Sequence, residues 1–112
     1  AAARKPNSVN PKMESSGSQF YIVHGKPITV AELMSVEARR NAGKDSSIHF
    51  HYTDEQVQAY LEHGGYPFLD GEYTVFGMLV EGFETLDIIA AVPTAQGNRP
   101  AEDVKMTVEV IK

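Results

Sequence analysis

"PFLDGEYTVFGMLV", residues 67–80, holds a turn followed by the clearest alternating run in the chain. Asp70-Gly71 is a strong turn signal, because glycine tolerates a positive φ that other residues resist. From residue 73 the pattern has period two. Tyr73 and Val75 share one face; Phe76 and Met78 share the other. Gly77 carries no side chain, so another backbone or a ring can approach it closely. Residues 73–80 therefore read as a strand.

Two other segments read the same way. "GSQFYIV", residues 17–23, begins as a turn and continues as a strand over 19–23. Gln19 and Tyr21 point to one face, with Phe20 and Ile22 on the other. "VKMTVEVI", residues 104–111, lines Val104, Met106, Val108 and Val110 along one side. Upstream, residues 4–18 are polar and rich in Pro, Ser, Asn and Gly, the composition of a loop.

Helical signals separate these strands. Thr29 with Glu32 and Thr53 with Gln56 have capping-box spacing, in which each side chain satisfies an unpaired helix N–H. Val30, Leu33, Met34 and Ala38 form the apolar stripe of the first helix, with Asn41 and Gly43 as stops. Val57, Tyr60 and Leu61 form that of the second, closed by Gly64 and Gly65. Later, Phe83, Leu86 and Ala90 fall on one helical face, so a helix is expected over 83–91, stopped by Pro93.

The bulk properties narrow the function. The chain has 112 residues, enough for one domain with one modest core, and 42% of them are apolar. A net charge of -5 and a pI near 5.3 argue against a nucleic-acid partner, which favours a basic face. No apolar run is long enough to span a bilayer. With no cysteine there is neither a disulfide framework nor thiol chemistry. "AAARKP" at the start has no initiator methionine and none of the regions of a signal peptide, and it reads as a cut inside something larger. His49 and His51 alternate on one face, but zinc needs three or four convergent ligands. Asp54-Glu55 and the pair Glu81 and Glu84 lie near helix starts, where negative charge is favourable, and read as caps rather than as acid–base pairs.

Three stretches in order carry a family resemblance: "GSQFYIV" at 17–23, "FLDGEYTVFGMLVEG" at 68–82 and "GFETLDIIAAV" at 82–92, with "RPAEDVKMTVEVI" closing the chain. Together they resemble the cyclophilin family of peptidyl-prolyl cis-trans isomerases. The resemblance implies a mainly-β fold, part of a closed eight-stranded antiparallel barrel capped by helices. Residues 1–112 would then be a single incomplete domain with a helical insertion at about 26–65, similar to that of some bacterial members. Three strands are too few to close such a barrel, so a missing N-terminal half or another chain is expected to complete it.

The resemblance also implies a site. Gln19 matches the glutamine that hydrogen-bonds substrate backbone, and Tyr21 stands at the phenylalanine of the pocket floor. Leu69 matches a wall leucine, Phe68 stands where members have tryptophan or phenylalanine, and Tyr73 where many have histidine. Ala3 and Arg4 align with the segment whose backbone binds the residue before proline. The family's catalytic arginine, in a Phe-His-Arg context, has no counterpart; Arg4, Arg39, Arg40 and Arg99 are not in that setting. It is expected upstream. Tyr21 adds a hydroxyl to an apolar floor, and that hydroxyl needs a partner if buried.

The expected function is therefore isomerisation of X–Pro bonds in proline-containing peptides or unfolded protein segments, without cofactor or metal. It is assigned to the full-length parent, the 112 residues alone being inactive. The alternative is a non-catalytic module that binds proline peptides. The missing arginine separates the two, since a cup without it binds but does not favour the twisted bond.

Overall fold

The computed structural model describes residues 1–112 and divides into two compact units, Ala1–Met78 and Leu79–Lys112. In the first unit both capping boxes form. The Thr29 hydroxyl accepts from the Glu32 N–H at 3.3 Å, and the Glu32 carboxylate accepts from the Thr29 N–H at 2.9 Å. This starts α1, Val30–Asn41. Thr53 and Gln56 repeat the exchange at 3.2 and 3.0 Å to start α2, Asp54–His63. Each cap contributes roughly 1 kcal/mol. Such local help matters for helices only three turns long, which are marginal by themselves.

Gly64 ends α2 at φ 69°, and its N–H donates to the Tyr60 carbonyl at 2.9 Å. A Cβ at Gly64 would lie 2.5 Å from the Lys26 carbonyl oxygen, so no larger residue fits. That close approach makes a neck. Lys26 and Gly65 exchange both backbone hydrogen bonds, at 3.1 and 2.9 Å, and so bring together the two ends of the helical segment. Within it, the Asn41 side chain brackets Phe50, donating to its carbonyl and accepting from its N–H, both at 2.7 Å. Asn41 thus ends α1 and pins the returning chain.

The core of this unit is small: Ile28, Leu33, Val36 and Pro67. The helical period was read correctly, but the buried stripe is rotated from the expected one. Leu33 and Val36, three residues apart, face inward, while Val30 and Met34 remain 48% and 64% exposed. Both the short 3-10 turn Pro67–Leu69 and α2 pack against α1.

The expected mainly-β architecture is not present. Neither a sheet nor a barrel forms; β-pairing is confined to three isolated antiparallel bridges, Ala2 with Phe20, Lys26 with Gly65, and Thr94 with Pro100. Residues 19–21 come nearest to the expectation. Ala3 donates to the Gln19 carbonyl at 3.0 Å and Tyr21 to the Ala1 carbonyl at 2.9 Å, while Ala2 donates to Thr74 at 2.9 Å. Residues 73–80 and 104–111 form no strand. Alternation specifies which face of a strand is apolar, whereas a strand exists only where a neighbour accepts its hydrogen bonds. Apart from the single Ala2–Thr74 bond, neither run takes part in a β-bridge, and Met78, at 86% exposure, remains in solvent. Phe20 and Ile22, expected in a barrel core, are half exposed for the same reason.

The second unit contains α3, Phe83–Ala90, entered through Gly82 at φ 86°. The helix occurs where its period placed it, but no barrel opening lies beneath it. A tight loop follows, in which Ala95 donates to Arg99 at 2.7 Å and Ala101 to Pro93 at 2.8 Å.

The rotated stripe is testable. Leu33→Ala should lower the unfolding free energy by about 2–4 kcal/mol, as expected for a buried leucine. Met34→Ala should change it by less than about 0.5 kcal/mol. Urea denaturation of both variants checks the register, and equal losses would contradict it.

Candidate functional site

Four of the residues expected in a proline site come together. Arg4, Phe68, Leu69 and Tyr73 line one cavity of about 710 Å³, within the first unit. The 3-10 turn supplies Phe68 and Leu69. Pro67 opens that turn with its ring buried, and the Leu69 N–H donates to Tyr66 at 3.1 Å. The Asp70-Gly71 turn then reverses the chain, with the Glu72 N–H donating to the Leu69 carbonyl at 3.1 Å and Gly71 at φ 72°. Gly71 is needed twice. Its φ suits glycine, and a Cβ there would lie 2.5 Å from an Arg40 guanidinium nitrogen.

Arg4 is the inner wall. Its side chain is only 6% exposed, its guanidinium lies 5.0 Å from the Tyr73 ring centre, and its donors are used internally. Nε donates to the Glu72 carbonyl at 2.7 Å, one terminal nitrogen to the Glu72 carboxylate at 2.9 Å, and the other to Asn7 at 2.5 Å. Tyr21 does not line the cavity. Its ring stands edge-on to Tyr73 at 5.5 Å, and its hydroxyl is buried with no hydrogen-bond partner. Burial, then the neighbouring Tyr73, pushes the ionisation of Tyr21 upward.

Gln19 lies elsewhere. It is exposed and lines a second cavity of about 350 Å³ with Asn10, Glu14 and Ser16; Arg4 is the wall common to both. Ala3 is occupied by backbone pairing, its N–H donating to Gln19 and its carbonyl accepting from Ser16 at 2.7 Å. The fold thus assembles Arg4, Phe68, Leu69 and Tyr73, sets Tyr21 behind Tyr73, and holds Gln19 on the far side of Arg4.

Sequence reasoning missed the residues that hold this turn in place. The Asp70 carboxylate accepts from the Tyr60 hydroxyl at 2.5 Å and the Tyr52 hydroxyl at 2.8 Å. Tyr52 packs edge-on to Phe50 and Tyr60, at 4.8 and 5.8 Å between ring centres. The Arg40 guanidinium stacks over Phe50 at 3.8 Å, and that of Arg39 over Phe68 at 4.9 Å. The helical segment thereby contacts the cavity turn through hydrogen bonds and rings. Two aromatics eight residues apart around a cap were the only sequence signal, and it does not identify a carboxylate partner. His49 and His51 are held locally, by the Lys44 carbonyl and by Glu37.

Comparison with known proteins places the chain in a family. The sequence profile described as "Cyclophilin type peptidyl-prolyl cis-trans isomerase/CLD" matches residues 1–110. A Streptococcus pyogenes protein, provisionally named a bifunctional phosphatase/peptidyl-prolyl cis-trans isomerase, is 38% identical over 99 residues, covering 86% of this chain and 18% of that protein. Two proteins provisionally named peptidyl-prolyl cis-trans isomerases are similar. That of Staphylococcus saprophyticus is 32% identical, over 88% of this chain and 45% of its own. That of Staphylococcus epidermidis is 37% identical, over 80% and 40%. The chain spans less than half the length of these curated relatives. No solved structure matches it.

The Asp70 cluster has a consequence for pH. Burial raises the ionisation of Tyr52 and Tyr60, and hydrogen bonding to Asp70 raises it further. The folded chain therefore keeps two protons that the unfolded chain releases near pH 10. Their contribution to stability is complete below about pH 10 and is lost as pH rises toward the folded-state values. Urea unfolding at about pH 9 and about pH 11 should show a steep loss in the native protein and a shallower one in Asp70→Asn. Equal slopes would exclude the carboxylate as the cause.

Proposed function

This chain belongs to the cyclophilin-type peptidyl-prolyl cis-trans isomerase family, and on that premise we propose that its first unit contributes the proline-binding part of an isomerase. The reading is carried by the convergence of Phe68, Leu69 and Tyr73 on one cavity. Leu69 and Phe68 supply apolar surface for a proline ring, and Tyr73 adds a ring with a polar tip. Gln19, exposed beyond Arg4, is the candidate grip on substrate backbone, which an extended peptide reaches by passing along the Arg4 wall. Tyr21 supports Tyr73 from behind. Ala3, with both backbone groups engaged, holds Gln19 rather than substrate.

The chemistry needs no broken bond. Rotation about a peptide bond is opposed by roughly 18–20 kcal/mol of lost resonance. The X–Pro isomers are close in free energy but exchange in tens to hundreds of seconds. A catalyst must bind the twisted bond better than either planar form. A cup and a backbone grip orient the peptide in ground and transition states alike. Selective stabilisation requires a donor aimed at the twisted imide. Arg4 does not offer one, because its nitrogens are already engaged by Glu72, Asn7 and the Lys5 carbonyl. We therefore assign binding to residues 1–112 and propose that the decisive arginine lies outside them.

Two-dimensional exchange NMR on a short proline peptide tests this. The full-length protein should accelerate exchange, and the 112 residues alone should not. In the full-length protein Leu69→Ala should weaken peptide binding by about 1–2 kcal/mol, the value of the apolar surface removed. Gln19→Ala should slow exchange while leaving the fold intact. An uncatalysed rate at saturating full-length protein would favour the non-catalytic module, whereas fast exchange by the 112 residues would reassign the catalytic group to this chain.

A further inference from the structure

The chain carries a net charge of -5, yet cations gather at the rim of the candidate proline cavity. Arg39, Arg40 and Lys44 line it from the helical segment, and Arg4 lines it from the N-terminal segment. Two carboxylates, Asp70 and Glu72, oppose these four cations, which leaves an excess of two positive charges at the rim. Glu72 pairs with Arg4, and Asp70 accepts two tyrosine hydroxyls. Arg39, Arg40 and Lys44 form no ion pair, unlike Lys26 with Glu32 or Arg99 with Asp103. The two arginines are instead held by rings. Arg40 stacks over Phe50, and Arg39 stacks over Phe68 while donating at 3.3 Å to the Phe68 carbonyl.

Complementing a helix dipole accounts for arginines in the last turn of α1. It does not account for Lys44, beyond the end of that helix, nor for the convergence of all three on Phe68 and Leu69. Stacking on an aromatic face orients a guanidinium without neutralising it, so most of its N–H groups remain available. The result is uncompensated positive charge beside an apolar cup, which favours an anion adjacent to whatever fills the cup.

We propose that Arg39 and Lys44 are specificity-determining residues that select peptides bearing an acidic residue close to the isomerised proline. This rests on the proline-binding reading above and names the class of substrate. Arg40 holds the rim by stacking on Phe50 and filling the space beside Gly71, and so acts as a positioning residue. A polyanion such as a nucleic acid is disfavoured, because the rest of the chain repels it. A single carboxylate beside a proline meets only the local field.

The test uses the full-length protein and matched short peptides with one proline, differing only in Glu, Gln or Lys near it on either side. Binding is read by fluorescence anisotropy and isomer exchange by NMR. The Glu peptide should bind about three- to fivefold tighter than the Gln peptide at low salt, and the Lys peptide more weakly than either. About 1 M salt should erase most of that ranking. The double variant Arg39→Gln, Lys44→Gln should erase it at low salt. Lys105→Gln with Lys112→Gln, which removes equal charge from residues that do not line the cavity, should preserve it. Equal binding of the Glu and Gln peptides, or a ranking that survives loss of Arg39 and Lys44, overturns the proposal even if every peptide is isomerised. A charge-ranked series with no exchange supports the rim and overturns the isomerase reading. Failure to bind any peptide overturns both.

Discussion

The Asp70 carboxylate organises the first unit. It accepts hydroxyl hydrogen bonds from Tyr52, just before α2, and from Tyr60, within it. It also sits in the turn that carries Phe68 and Leu69. One carboxylate therefore connects the helical segment to the lining of the cavity. Half-buried carboxylates are costly unless hydrogen-bonded; here one oxygen, Oδ2, accepts from both phenols, which are held by their own ring contacts. Backbone constraints converge on the same place. The Lys26–Gly65 neck fixes where the segment leaves and returns, and Asn41 fixes how it doubles back.

That arrangement gives the helical segment a role beyond decorating a surface loop. Much of the packing around the Phe68 turn comes from outside that turn. Arg39 covers the Phe68 ring and Arg40 fills the space left by Gly71. The same side chains bring positive charge to the rim. Packing and charge therefore reach the cavity from the end of α1, and substitution there affects both. The remaining wall, Arg4, is neutralised by Glu72 and buried, so it contributes shape more than field.

Family membership and observed architecture differ in an instructive way. The profile match extends over residues 1–110, including the alternating runs at 73–80 and 104–111. Those runs nevertheless remain outside any sheet, with apolar side chains in solvent. Alternation is a local property of a sequence. Pairing is a property of two segments, and a ladder half with no neighbour gains neither its hydrogen bonds nor its buried face. By contrast, the helices and the tight turns are complete. Their hydrogen bonds close within a few residues, so they need no distant partner.

The same division runs through what was legible in the sequence. Thr29 with Glu32, Thr53 with Gln56, the stop at Gly64, the turn at Asp70-Gly71 and the helix after Gly82 are all fixed by neighbours three or four residues away. All were readable as written. The family was readable too, because its motifs are ordered strings of residues. The burial of Val36 beside the expected Leu33, in place of Val30 and Met34, depends on what packs against α1, the Pro67 turn and α2. The separation of Gln19 from Leu69 was decided by Arg4 reaching Glu72, sixty-eight residues away. The joining of Tyr52 and Tyr60 on Asp70, and the placement of Arg39 and Lys44 beside Phe68, were likewise decided by tertiary structure. Period and capping act along one segment, whereas cavities, ion pairs and strand ladders depend on which distant segments meet.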